Sequence, residues 1–136
     1  MGPFDRPDRF PERLRIAVLT DDHGWGDAVS KHFAGIGREA VVVEGTDELQ
    51  RRLDENSVDV ILLDQPSDDV WEFCFDAQKQ SDTMSPVLAV VRPEEDSNEM
   101  WAEAGADISV PSEAKDPVDV EDFLRAYFSK LPDHDR

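Results

Sequence analysis

The stretch Val58-Asp59-Val60-Ile61-Leu62-Leu63-Asp64 carries the strongest strand signal in the sequence. Every residue from Val58 to Leu63 is apolar except Asp59, and the carboxylate of Asp64 follows directly. A strand that is apolar along its whole length is typical of a parallel sheet that is buried on both faces. We therefore expect residues 58–63 to lie in the interior of such a sheet, with Asp64 at the edge where the strand ends.

Shorter apolar runs alternate with helical patterns on both sides of this stretch. The predicted strands are residues 16–19, 40–43, 58–63, 86–91 and 108–110. The predicted helices are residues 28–36, 46–53, 70–78, 94–104 and 120–131. Five strand–helix units in succession predict one α/β domain with a doubly wound parallel sheet, because right-handed crossovers place helices on both faces.

The two ends of the chain differ in composition from the interior. Residues 1–13 hold three prolines among alternating charges, and residues 132–136 are also polar. Few of these residues can join a hydrophobic core, so we expect a flexible tail at each end. The folded domain is accordingly predicted to span residues 14–131.

The chain is strongly acidic, with 32 acidic against 14 basic residues and a net charge of −18. Such a surface is repelled by the phosphate backbone, so we expect no direct nucleic-acid binding. Two origins of the acidity stay open, namely adaptation to a halophilic, high-salt cytoplasm and the ordinary composition of an acidic soluble domain. One cysteine excludes a disulfide within the chain.

The sequence lacks the features of a membrane or secreted protein. No apolar run approaches the roughly 18–20 residues that span a bilayer, and the N-terminus has no signal-peptide pattern. We expect a cytoplasmic protein that contacts no membrane. A glycine-rich phosphate loop, a Ser-His-Asp order and a His/Cys zinc cluster are also absent, so an independent enzyme is not expected.

Acidic side chains follow two of the predicted strands. Asp21 and Asp22 come after the first strand, and Asp64 comes after the third. With strand order 2-1-3-4-5 these strands are neighbours, so we expect the three carboxylates to converge at one edge of the sheet. Oxygen ligands of this kind suit Mg²⁺. A carboxylate beside such an ion can form an aspartyl phosphate, whereas Asp21 or Asp22 can alternatively cap the following helix.

Five segments resemble the successive signature blocks of the receiver domains of two-component response regulators. They are RIAVLTDD (15–22), VDVILLDQP (58–66), DVWEFC (69–74), PVLAVV (86–91) and GADISVP (105–111). The resemblance covers residues 15–131. It implies a flavodoxin-like (βα)5 fold, Mg²⁺ binding and phosphoryl transfer from a histidine kinase.

The resemblance also implies roles for individual residues. Asp64 stands at the phosphoacceptor position, and Asp21, with Asp22 or Thr20 beside it, stands at the acidic pair that holds the metal. The carbonyl of Pro66 would be a further metal ligand. Because Trp25 should lie near this site, over its rim or plugging it, its fluorescence is expected to respond to millimolar Mg²⁺.

Two positions depart from the receiver pattern. Val91 stands where the family has Ser or Thr after the fourth strand, and Val110 stands where it has the lysine before a proline. Lys115 is expected to reach the site only if its loop rearranges. Allosteric switching typically uses only about 1–3 kcal/mol of coupling free energy, so the loss of these two donors can remove the switch. We therefore predict a degenerate, stand-alone pseudo-receiver that acts through protein–protein contacts, with weak or absent phosphorylation switching.

Candidate partner residues lie on the last two predicted helices. Trp101 and Tyr127 would border the surface that receivers use for partners, although core packing is the default for such aromatics. The expected partner is a histidine kinase or another signalling protein. A homodimer through the fourth and fifth helices stays open.

A second function class rests on a short motif. Asp21-x-His23-x-x-Gly26 matches the DxHxxG pattern of flavodoxin-like cobalamin-binding domains, in which the histidine ligates cobalt. The other features of that family are missing. A third class is a purely structural interaction module with the same fold.

Overall fold

A computed structural model describes residues 11–55, 57–79 and 86–130. Five parallel strands form one sheet in the order β2-β1-β3-β4-β5. The strands are β1 Arg15–Leu19, β2 Glu39–Val43, β3 Val60–Asp64, β4 Val87–Arg92 and β5 Ile108–Pro111. The helices are α1 His23–Gly35, α2 Thr46–Asp54, α3 Asp68–Lys79, α4 Asn98–Glu103 and α5 Pro117–Lys130, and a 3₁₀ turn covers Ser112–Ala114. The predicted flavodoxin-like (βα)5 fold is confirmed.

The buried strand β3 divides its side chains between two apolar layers. Val60 and Leu62 face the layer under α1 and α5, and Ile61 and Leu63 face the layer under α2, α3 and α4. Side chains alternate between the faces of a strand, so a sheet covered on both sides needs apolar residues at every position. This alternation explains the unbroken apolar run in the sequence.

The fourth helix is shorter than predicted. It was expected over residues 94–104, but α4 begins after Ser97, whose hydroxyl accepts a hydrogen bond from the Met100 backbone N–H. Before it, the Asp96 backbone N–H donates to the Pro93 carbonyl and closes a turn. Serine is a favourable N-cap, which explains why the helix begins there.

The predicted tails fall largely outside the described residues. Residues 1–10 and 132–136 lie beyond the described ranges, so the tail boundaries stay a prediction. Within the described ranges, the Pro11 carbonyl accepts a hydrogen bond from Arg38 Nε. No helix in those ranges is long and apolar enough to cross a bilayer.

A charged cluster joins α1 to α5. Glu121 Oε2 accepts a hydrogen bond from Arg125 Nε at 2.6 Å, and Glu121 Oε1 lies 2.7 Å from His32 Nε2. The bond from Arg125, and then the one to His32, hold the pKa of the Glu121 carboxyl below its usual value. The ionised carboxylate therefore stabilises the contact between the two helices.

Glu121→Gln should lower the free energy of unfolding by about 1 kcal/mol at neutral pH. A lowered carboxyl pKa contributes stability above the pKa of the unfolded chain and loses it as the pH falls through the folded value. The difference between the two proteins should therefore begin to shrink near about pH 4, the ordinary range of a glutamate pKa, and should vanish only when the pH is below the lowered pKa of the folded protein. Urea melts across this range measure it, with the exposed Asp122→Asn as control. A difference that persists unchanged at low pH would contradict the assignment.

Candidate functional site at the carboxyl edge of the sheet

Asp64, at the end of β3, is engaged by side chains from two other segments. Leu19 pairs with Leu63, so Thr20 lies beside Asp64 where the two parallel strands end. The Thr20 hydroxyl donates to Asp64 Oδ2 at 2.7 Å. Lys115 Nζ lies 3.7 Å from Asp64 Oδ1. Only 9% of the Asp64 side chain is exposed, so both carboxylate oxygens face groups of the protein itself.

The position of Lys115 corrects the sequence prediction. Lys115 was expected to reach the site only after its loop rearranged, but it already lies beside Asp64. The 3₁₀ turn that follows β5 brings it back over the edge of the sheet. A cationic group is therefore present although Val110, at the family's lysine position, is buried in the core.

Asp22 is not part of the predicted cluster of three carboxylates. Its Oδ1 accepts a hydrogen bond from the Trp25 backbone N–H, which makes it the N-cap of α1. This satisfies one of the free N–H groups of the first helical turn. Across the described ranges, no group of three or more His, Cys, Asp and Glu side chains is arranged to hold a metal ion. The capping alternative for Asp22 explains the difference.

A pocket of about 300 Å³ opens beside Asp64. Its lining includes three acidic residues and one proline: Asp21, Glu44, Asp64 and Pro66. Asp21 and Pro66 thus share the pocket with Asp64, as expected, and Glu44 is an addition. The signal for Glu44 was available, because it follows β2 directly and parallel neighbours end at the same edge.

These residues do not fit a firmly held Mg²⁺ in this arrangement. Asp64 Oδ2 is bound to the Thr20 hydroxyl, and the Lys115 ammonium lies beside Oδ1, where a second cation would be repelled. Asp21, Asp64 and the Pro66 carbonyl are the donors that an ion could use here, with Glu44 nearby. Asp64 Oδ1 is buried and accepts no hydrogen bond. The oxygen donors are present, but Asp64 already has the Lys115 ammonium beside it.

The two altered positions lie inside the core. Val91 pairs with Asp64 across β3 and β4, and its carbonyl accepts the Gln65 backbone N–H at 2.9 Å. Val91 and Val110 are both at most 1% exposed and belong to the layer under α1 and α5. Neither side chain has a polar atom. Neither can donate a hydrogen bond to a group attached to Asp64.

The candidate partner residues are half-buried. Trp101 packs edge-on against Trp71 with ring centroids 5.1 Å apart, and its Nε1 donates to Asp96 Oδ2. Tyr127 packs edge-on against Phe128 and contacts the layer under α1 and α5. Both rings therefore contribute to packing, and their role in partner binding stays a proposal.

Of the three residues that define the cobalamin motif, only Asp21 lines the pocket beside Asp64. His23 is exposed at the first position of α1 and does not line the pocket beside Asp64. Close packing explains why position 26 is a glycine, since a Cβ there would lie 2.8 Å from Val42 and 3.2 Å from Thr20. Trp25, expected over the rim of the site or plugging it, is instead buried in the layer under α1 and α5 and does not line the pocket. Packing thus explains the glycine of the motif, and the exposed His23 does not face the pocket.

Comparisons with known proteins place the fold. No family model and no curated protein sequence matches the chain. Among solved structures, the chain superimposes on an atypical orphan response regulator with a TM-score of 0.69 and 16% sequence identity, over 87% of this chain and 98% of that one. That protein is described as having a phosphorylation-independent regulatory mechanism. The chain has the receiver-domain fold. The same receiver fold relates it to an orphan response regulator of H. pylori (TM-score 0.69, 16% identity, 85% and 96% covered).

A third structure with the receiver fold is the non-phosphorylated HemR receiver domain of Leptospira biflexa. It has a TM-score of 0.69 and 17% identity, over 89% of this chain and 98% of that one. The three structures match along almost their whole length. At such identities the likeness is one of fold, and function has to be argued from the site.

Proposed function

We propose that the chain is a receiver-type signalling protein in which Asp64 stands at the phosphoacceptor position but phosphorylation switching is weak or absent. The observation that supports this most is Val91, which is buried and has no polar atom at the position where the resemblance implies a hydroxyl. Asp64 itself is held by the Thr20 hydroxyl and lies beside the Lys115 ammonium. On this proposal the protein acts through protein–protein contacts and is not an enzyme. Its partner is a histidine kinase or another signalling protein in the cytoplasm.

Reaction at Asp64 would have to disturb these contacts. A hydrogen bond to a charged group contributes about 1.5–3 kcal/mol. Attack through Asp64 Oδ2 would weaken the Thr20 bond, and attack through Oδ1 would place the donor phosphorus at the oxygen beside Lys115. A phosphoryl group on Asp64 would then find Val91 and Val110 where the family has a hydroxyl and a lysine. Lys115 could still neutralise its charge, but no hydroxyl at position 91 would draw the β4–α4 connection toward it.

The β4–α4 connection is also held by contacts of its own. Arg92 Nη1 donates to the Asp96 carbonyl at 2.7 Å, and Trp101 Nε1 donates to the Asp96 side chain. These bonds fix the turn that precedes α4 independently of Asp64. They support a module whose surface is preformed rather than switched.

Treatment with acetyl phosphate and Mg²⁺ tests the proposal. No more than about a tenth of the chains should gain the mass of a phosphoryl group, because the contacts of Asp64 slow its reaction by tenfold or more. Intact-mass spectrometry under conditions that preserve acyl phosphates measures the yield, and Asp64→Asn gives the background. Near-complete labelling at Asp64, together with a structural change at α4 seen by NMR, would overturn the proposal.

A further inference from the structure

Trp25 fastens the segment that carries Lys115 to the first helix. Its indole Nε1 donates to the Lys115 carbonyl at 2.7 Å, and Lys115 Nζ lies 4.9 Å from the centre of the indole ring. Trp25 is 9% exposed and packed within the layer under α1 and α5. One side chain therefore contacts both the backbone and the ammonium group of the same lysine.

Together with four further contacts, the indole hydrogen bond forms a closed ring of five residues that includes Asp64. The Trp25 backbone N–H donates to Asp22 Oδ1, and the Asp22 backbone N–H donates to Thr20 Oγ1. Thr20 donates to Asp64 Oδ2, and Lys115 lies beside Asp64 Oδ1. Lys115 is joined back to Trp25 through its carbonyl. Each member of the ring is thus fixed from two sides.

We propose that Trp25 is a positioning residue that keeps the Lys115 ammonium beside Asp64, an inference that rests on the proposed role of the Asp64 centre. A lysine side chain loses much rotamer freedom when it is fixed, and an isolated ion pair near solvent contributes little by itself. The indole supplies the missing restraint, because a hydrogen bond anchors the lysine backbone and the ring face attracts its charge.

Lysine acylation at a single pH in metal-free buffer tests this placement. Lys115 competes with the exposed Lys31 as internal reference, and peptide mass spectrometry gives the ratio of their rates. Trp25→Phe should raise the rate at Lys115 about threefold or more while Lys31 is unchanged, as expected for the loss of a weak ion pair. Asp64→Asn should have a similar effect. The double variant should react no faster than the faster single variant, because both changes release the same group.

Trp71→Phe is the matched control, since Trp71 packs against Trp101 in the opposite apolar layer. It should leave the Lys115 rate unchanged. An unchanged Lys115 rate in a folded Trp25→Phe protein, or an equal rise in both tryptophan variants, would overturn the inference.

A second measurement keeps the inference testable if Trp25→Phe does not fold. The chain has three tryptophans, so labelling with 5-fluorotryptophan gives three ¹⁹F resonances. Lys115→Ala should shift the Trp25 resonance and leave the other two in place, whereas an unmoved Trp25 resonance would refute the contact. This outcome is separate from the proposed function, because Asp64 could be labelled fully by acetyl phosphate while Trp25 still positions Lys115.

Discussion

Gly105→Ala should lower the free energy of unfolding by about 3 kcal/mol or more. Gly105 has φ of +109°, and a Cβ there would meet the ring of Phe75, with Cδ1 only 2.8 Å away. A left-handed backbone costs a residue with a Cβ about 1–2 kcal/mol, and overpacking adds about 1–3 kcal/mol. Urea unfolding followed by circular dichroism gives the difference between the two proteins.

Gly37→Ala separates the cost of the left-handed backbone from the cost of the contact with Phe75. Gly37 has φ of +82°, but a Cβ there would have no neighbour within 4 Å. It should cost only the backbone part, about 1–2 kcal/mol. Phe75→Leu in the Gly105→Ala background should recover part of the loss, since it removes the obstructing ring. Equal losses at the two glycines would show that the Phe75 contact contributes nothing.

The sheet was predictable because its physical signal is local. The apolar run of β3 requires two covering layers, and the alternation of strands and helices then limits the possible topologies to a few. The acidic residues that follow β1 and β3 could be placed at one edge for the same reason, since neighbouring parallel strands end together. The pocket shared by Asp21 and Asp64 follows from this topology.

The contacts within the site were not predictable because they depend on side-chain direction and on one short turn. Whether Asp21 or Asp22 faces the pocket is decided by the N-cap of α1, which takes Asp22. The position of Lys115 after β5 is set by the 3₁₀ turn and by the hydrogen bond that its carbonyl accepts from Trp25 Nε1. The valine at position 110, where the family has a lysine, therefore predicted wrongly that no cation lies beside Asp64, because Lys115 supplies one.

Lys115→Met is expected to tighten Mg²⁺ binding at the Asp64 centre about tenfold, which corresponds to about 1.4 kcal/mol. Lys115 Nζ is 3.7 Å from Asp64 Oδ1, and about a quarter of its side chain is exposed. Two unit charges 4 Å apart interact by about 1 kcal/mol in water and by about 4 kcal/mol near a protein surface. A divalent ion on Asp64 would feel a larger repulsion, which partial exposure and screening reduce. Methionine removes the charge and keeps the apolar stem.

Isothermal titration calorimetry at fixed ionic strength measures this affinity in the wild type and in two variants. Lys31→Met removes the same charge from an exposed position on α1, so it reports the general effect of a more acidic protein. Only the excess of Lys115→Met over Lys31→Met belongs to the site, and that excess should disappear in the Asp64→Asn background. Equal shifts for the two lysines would mean that Lys115 does not occupy the place of the cation. A specific shift would instead mean that Lys115 acts as the counter-ion of Asp64 at the place where the resemblance implies a metal ion.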